Sequence, residues 1–121
     1  MTTYLLDTYA ILEMIKGKPS YNNFTEVDFR TTIFNLYELY YNLLKDYSED
    51  MAKSYFKKYH PFLVEIKEEH IFLAAKFKLV NNKRGISYVD ALGYEIAKAE
   101  GYRFLTGDKE FEKFDNVEFV K

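Results

Sequence analysis

Apolar and polar positions change period several times along this chain, and each change predicts an element. Residues 2–6 form a β-prone run that ends at Asp7. Tyr9, Leu12 and Ile15 then recur at helical spacing, with Ile11 and Met14 widening the apolar face. The helix should stop near Gly17, because Gly17, Pro19, Ser20, Asn22 and Asn23 are turn formers and breakers. Residues 17–31 are the loosest stretch, with a short strand predicted at 27–30.

Thr31 or Thr32 is placed to cap a second helix running to about Tyr47. Leu36, Tyr40, Leu43, Leu44 and Tyr47 make its apolar stripe, and from Thr31 to Leu44 the only charged residue is Glu38. A third helix covers 49–59, with Lys53, Lys57 and Lys58 outward; Pro61 marks its boundary before a strand predicted at 62–66. Residues 68–81 read as an amphipathic helix whose apolar face is Ile71, Phe72, Ala75, Leu79 and Val80, opposed by Lys76 and Lys78. Ser87 opens a further helix, with Val89, Leu92, Ile96 and Ala99 inward and Gly101 as its stop. A strand at 103–105, a turn with a one-turn helix over 106–114, and a strand at 117–120 complete the chain.

Short strands alternating with helices, and no glycine-rich hairpin turn, predict a three-layer α/β/α fold. Its central sheet should be mainly parallel, with four to five short strands. The chain has 121 residues, 48% of them hydrophobic, which is enough for a single domain with one sizeable core. Neither repeats nor a domain linker interrupt it.

Composition removes several classes of chemistry. Without cysteine there are no disulfides or thiolate metal sites, a usage that fits a reducing cytoplasm. No apolar run approaches the roughly 18 residues that span a bilayer. The start, with two early acids, does not read as an export signal, so a cytoplasmic protein without membrane association is expected. His60 and His70 match no metal-binding spacing and read as surface or boundary residues. Net charge is -2, but setting aside Asp7, Glu38, Asp90 and Asp108 leaves 17 basic against 15 acidic residues, a mildly basic scaffold.

Those four acids carry the candidate chemistry. In an open parallel sheet, ligands bind beyond the carboxyl ends of the strands. Asp7 ends the first strand, and Asp108 follows the strand at 103–105 after Thr106 and Gly107. Each has a structural alternative as a helix cap. Asp90 reads even more readily as structural, since Ser87-x-x-Asp90 resembles a capping box. Glu38 belongs either to a site or to a solvated face with Asn35, Asn42 and Lys45. As a set, however, carboxylates gathered at one sheet edge would repel one another unless a hard divalent cation such as magnesium or manganese occupied them.

The segments LLDTYAILE, NLYELYY, SYVDALGYEIAKAEG and FLTGDKEF, in that order, resemble a PIN domain, closest to the VapC-type ribonuclease toxins. The resemblance covers nearly the whole chain. It implies a magnesium- or manganese-dependent endoribonuclease, the toxin of a type II toxin–antitoxin pair, with an antitoxin protein as partner and usually a homodimer. By position, Asp7, Glu38, Asp90 and Asp108 match the family's acidic quartet. Thr106 matches a hydroxyl residue that orients the site, although it could instead satisfy only the turn; Thr8 reads as a cap. Asp7, Asp90 and Asp108 are the expected metal ligands, with Glu38 binding directly or through water. Hydrolysis leaving a 5'-phosphate and a 3'-hydroxyl is implied.

RNA backbone contacts are sought at Lys76, Lys78, Lys83 and Arg84, or at Lys53, Lys57 and Lys58, with tyrosines stacking on unpaired bases; outer lysines are more often solubility charges. Tyr37, Tyr40, Tyr41 and Tyr47 on one helix fit a surface covered by a dimer or antitoxin helix. Among rivals, a dehalogenase-like phosphatase needs an acid at position 9, which is tyrosine. A receiver domain needs an acidic pair after the first strand and a phosphorylatable aspartate after a middle one. A ribonuclease-H-like nuclease leads from its first strand into a hairpin. A non-catalytic PIN-like interaction module remains the alternative of a different class.

Overall fold

The computed structural model describes all residues from Met1 to Lys121. Four strands, β1 (Thr3–Leu6), β2 (Asp28–Arg30), β3 (Arg103–Thr106) and β4 (Val117–Phe119), form one sheet in the order β2-β1-β3-β4. Every pairing is parallel. Five helices connect them: α1 (Thr8–Ile15), α2 (Ile33–Asp46), α3 (Glu49–Tyr59), α4 (Glu68–Val80) and α5 (Tyr88–Glu100). The expected three-layer α/β/α arrangement is therefore present, with four strands.

Strand alternation divides the interior into two cores. Leu5 and Phe104 face one side, where they meet Leu92, Ile96, Phe111 and the rest of the α4–α5 layer. Leu6 and Leu105 face the other, against Ile11, Leu36, Leu39 and Leu43 of the α1–α3 layer. Both faces of β1 and β3 are thus covered, as a parallel sheet requires. Gly93 sits where α5 crosses the sheet: a Cβ there would lie 3.1 Å from the Phe104 ring and 3.4 Å from Leu5. This close approach explains a glycine in mid-helix, where alanine would otherwise be favoured by about 1 kcal/mol.

Four expectations need correction. The strand at 62–66 does not form. The chain makes a short 3-10 turn over His60–Phe62, and only Leu63 bridges to Thr31. Thr31 N–H donates to the Phe62 carbonyl and Val64 N–H to the Thr31 carbonyl, so β2 gains a one-residue extension instead of a fifth strand. α4 is rotated from the expected face. His70 and Ala74 are its buried residues, with Phe77 packed beside them, whereas Ile71, Phe72, Leu79 and Val80 are exposed. The reason lies in α5, whose central residues, Ala91 to Ala97, are all buried: the close approach of α4 suits a small alanine better than bulky side chains.

His70 is correspondingly a structural residue, 2% exposed, and not a surface one. Its Nδ1 accepts the Lys67 amide N–H at 3.0 Å, and its Nε2 lies 3.1 Å from Glu100. Along α2 the buried positions are Asn35, Leu36, Leu39 and Leu43, while Leu44 and Tyr47 of the expected stripe are exposed.

Candidate active site

The chain leaves β1 toward β2 on one side and returns to β3 on the other, so the carboxyl ends of β1 and β3 open a crevice between diverging connections. Asp7 follows β1 and Asp108 lies just beyond β3. Glu38 reaches the same place from the second turn of α2, and Asp90 from the first turn of α5. All four line one cavity of about 430 Å³, together with Thr8, Tyr9, Gly107, Lys109 and Lys121. The acids that the sequence scatters over a hundred positions are brought together by the switch in strand order.

Each aspartate is held differently. Asp7 is 2% exposed and caps α1, its Oδ1 accepting the Ala10 amide at 2.8 Å. Its Oδ2 accepts a short hydrogen bond from the Thr106 hydroxyl, which in turn accepts the Asp108 amide at 3.0 Å. Asp108 Oδ1 accepts the Glu110 amide at 2.9 Å, so both strand-end acids combine capping with a place at the cavity. Asp90 is different. Its amide donates to Ser87 Oγ at 3.0 Å, but its carboxylate returns no bond to the Ser87 amide, so the capping box is only half closed. Its carboxylate remains available to the cavity.

Glu38 is positioned by residues that the sequence reading assigned elsewhere. The Thr8 hydroxyl donates to Glu38 Oε1 at 2.6 Å and accepts Asn35 Nδ2 at 3.1 Å. Asn35 is 1% exposed and its Oδ1 accepts from Thr32. Thr8 is therefore not the cap of α1, a role Asp7 takes, but the support of Glu38, and Asn35 belongs to a buried polar chain instead of a solvated face. The i, i+3 spacing of Asn35 and Glu38 was the available signal. Gly107 lies against Tyr9: a Cβ there would be 2.1 Å from the ring, so this turn admits no side chain without displacing a wall of the cavity.

Crowding of carboxylates in a poorly solvated crevice changes their acidity. Burial, opposed by the Thr106 and Ala10 hydrogen bonds and reinforced by Asp90 and Asp108, pushes the Asp7 carboxyl up to about 7. Burial, reinforced by Asp108 and Glu38, pushes Asp90 up to about 6, with the Ser87 hydroxyl acting against it. Such a cluster is relieved by a cation, and its donors are all hard oxygens, the set preferred by magnesium and manganese. No three acidic or histidine side chains stand close enough to make a ready-made cage. An ion here would keep part of its shell as water, which magnesium ordinarily does.

None of the lysines and Arg84 considered for RNA contact lines this cavity. Lys78 donates to the Ile86 carbonyl at 2.7 Å and lies over Tyr88; Arg84 stacks on Phe114; Lys53 pairs with Glu49. The cavity's own cations are Lys109 and Lys121, which the sequence reading missed.

The family model of the PIN domain matches residues 4–117, and the chain belongs to that family. Solved structures share the fold. VapBC2 from Rickettsia felis, bound to a DNA fragment from its promoter, superposes with a TM-score of 0.74 at 20% identity, covering 99% of this chain and 100% of that one. Mycobacterium tuberculosis VapC20, a sarcin-ricin loop cleaving toxin, gives 0.75 at 17% identity over 98% of this chain and 99% of the other. A toxin–antitoxin complex from Klebsiella pneumoniae gives 0.75 at 13% identity, with 95% of each chain covered. No curated protein matches the sequence. No helix is long and apolar enough to cross a membrane.

Proposed function

We propose that this chain is a magnesium- or manganese-dependent endoribonuclease and the toxin of a type II toxin–antitoxin pair. The observation that carries the reading is the convergence of Asp7, Glu38, Asp90 and Asp108 on one cavity at the strand-order switch. Membership of the PIN family and the shared fold with VapC-type toxins support it.

Asp7, Asp90 and Asp108 would hold the ion, with Glu38 contributing directly or through water. When bound, the ion supplies Lewis acidity, easing deprotonation of an attacking water and stabilising charge on the leaving oxygen. The chain's own residues orient these groups. Thr106 fixes the direction of Asp7 Oδ2, and the Thr8–Asn35 pair fixes Glu38 Oε1. Lys109 and Lys121 are the cations available to the phosphate backbone of RNA. No histidine lines the cavity to serve as a base.

An antitoxin protein and a second copy of the chain are the proposed protein partners. An apolar groove of about 350 Å³, lined by Phe34, Ile71, Tyr88 and aliphatic residues of α4 and α5 with Lys78 as its one charged member, supports such contacts.

The test is incubation with single-stranded and looped RNA, magnesium or manganese, and analysis of product ends. Cleavage leaving 5'-phosphate and 3'-hydroxyl ends, abolished by chelator, is expected. A protein that binds metal yet cuts no RNA across a broad panel is instead an interaction module.

A further inference from the structure

Glu38 is a wall shared by two hollows. Besides the carboxylate cavity it borders a second one, of about 390 Å³, whose other lining residues are Tyr37, Tyr41 and Asn42. Tyr37 and Tyr41 lie one helical turn apart on α2 and are 73% and 59% exposed. Neither hydroxyl has a hydrogen-bond partner within the chain. One turn further, Lys45 continues the row, its ammonium 5.8 Å from the centroid of the Tyr41 ring. Two exposed aromatic rings and a side-chain amide thus border the hollow next to the cluster of acids, with the Lys45 ammonium over the Tyr41 ring.

We propose that Tyr37 and Tyr41 form a stacking platform for unpaired bases of an RNA strand beside the scissile phosphate. The proposal rests on the nuclease reading above. Single-stranded nucleic acid is held by aromatic faces that accept any base, combined with cations that meet its backbone. Tyr37 and Tyr41 supply the faces and Lys45 the cation. The occupant is RNA and not a protein helix because the hollow is half polar and continues the wall of the carboxylate cavity. The groove at Phe34, Ile71 and Tyr88, by contrast, is almost entirely apolar and better suits protein side chains.

The experiment pairs kinetics with a binding signal that needs no cleavage. Tyr37→Ala, Tyr41→Ala, the double variant and the two Tyr→Phe variants are compared on one single-stranded oligonucleotide with manganese. Loss of one stacked base corresponds to about a tenfold rise in KM, and kcat should stay within about twofold. The phenylalanine variants should retain the parent KM. In parallel, the same RNA carrying 2-aminopurine is titrated into Asp7→Asn protein with and without the tyrosines; quenching should require an aromatic ring at positions 37 and 41. Both tyrosines are exposed, and an unchanged melting temperature shows that the variants fold. If the parent cleaves RNA and the double alanine variant matches it in KM and quenching, the platform is wrong while the nuclease reading stands. If the alanine variants bind RNA normally but lose a protein partner, the face belongs to that partner and the proposal is overturned. If the parent cleaves nothing yet quenching depends on the rings, the platform survives and the nuclease reading fails. Absence of both cleavage and ring-dependent quenching overturns both.

Discussion

The Thr106 hydroxyl, on β3, donates its only proton to the Asp7 carboxylate at the end of β1 and accepts the Asp108 amide. One oxygen therefore ties two acids of the cavity across neighbouring parallel strands. Thr106→Val removes the donor to Asp7 and leaves the Asp108 amide without its partner. Metal-dependent cleavage should fall by about 10- to 100-fold, the usual effect of losing an outer partner of a ligand, whereas Thr106→Ser should stay near the parent. Cleavage rates of the two variants, compared at equal folded fraction, check this.

Thr8 holds Glu38 in the same manner, its hydroxyl donating to Oε1 at 2.6 Å. Thr8→Val releases Glu38 Oε1 and takes away the acceptor of Asn35 Nδ2, a buried group. A stability loss of about 1–3 kcal/mol is expected from the orphaned amide. Manganese affinity should also weaken, by about tenfold, if Glu38 takes part in binding directly or through water. Denaturant melts and calorimetric titration read the two effects separately, and Thr8→Ser should restore both.

The acidity of Asp7 gives the metal-free protein a pH dependence of definite sign. Its folded-state value, about 7, lies above the ordinary 3.8, so between these limits the folded chain binds more protons than the unfolded one. Stability contributed by the neutral carboxyl is present at low pH and is lost as pH rises through about 7, by on the order of 4 kcal/mol at most. Asp90, raised to about 6, acts in the same direction. In chelator, the melting temperature of Asp7→Asn should exceed that of the parent at pH 8, and the difference should shrink toward pH 5. A difference independent of pH would contradict this assignment.

Packing at Gly93 is checked by Gly93→Val. A β-branched side chain would be driven into Phe104 and Leu5, the residues already 3.1 and 3.4 Å from a modest Cβ. Overpacking should destabilise the protein by about 1–3 kcal/mol, measured by urea denaturation.

Much of this arrangement was legible because the relevant signals are local. Asp7, Thr32 and Ser87 cap their helices as side-chain chemistry directs, and Gly101 ends α5 in the left-handed region. The acids at strand ends follow from the parallel topology that alternating elements imply. Less legible were features decided by contacts distant in sequence. Residues 62–66 have a strand's composition, but 3-10 geometry over His60–Phe62 leaves one bridge to Thr31. α4 carries apolar residues around most of its circumference, so periodicity does not choose its buried face; the approach of α5 does. Asn35 looked like a surface amide because Thr8, its partner, is 27 residues away.

The central claim is that Asp7 and Asp90 share a site for one class of hard cation. Manganese titration of the melting temperature at pH 7.5 tests it most directly, using the parent, Asp7→Asn, Asp90→Asn and, as a control outside the cavity, Asp115→Asn. The account requires manganese to raise the melting temperature of the parent and of Asp115→Asn, with little or no shift in the two cavity variants. Equal shifts in all four proteins would contradict it.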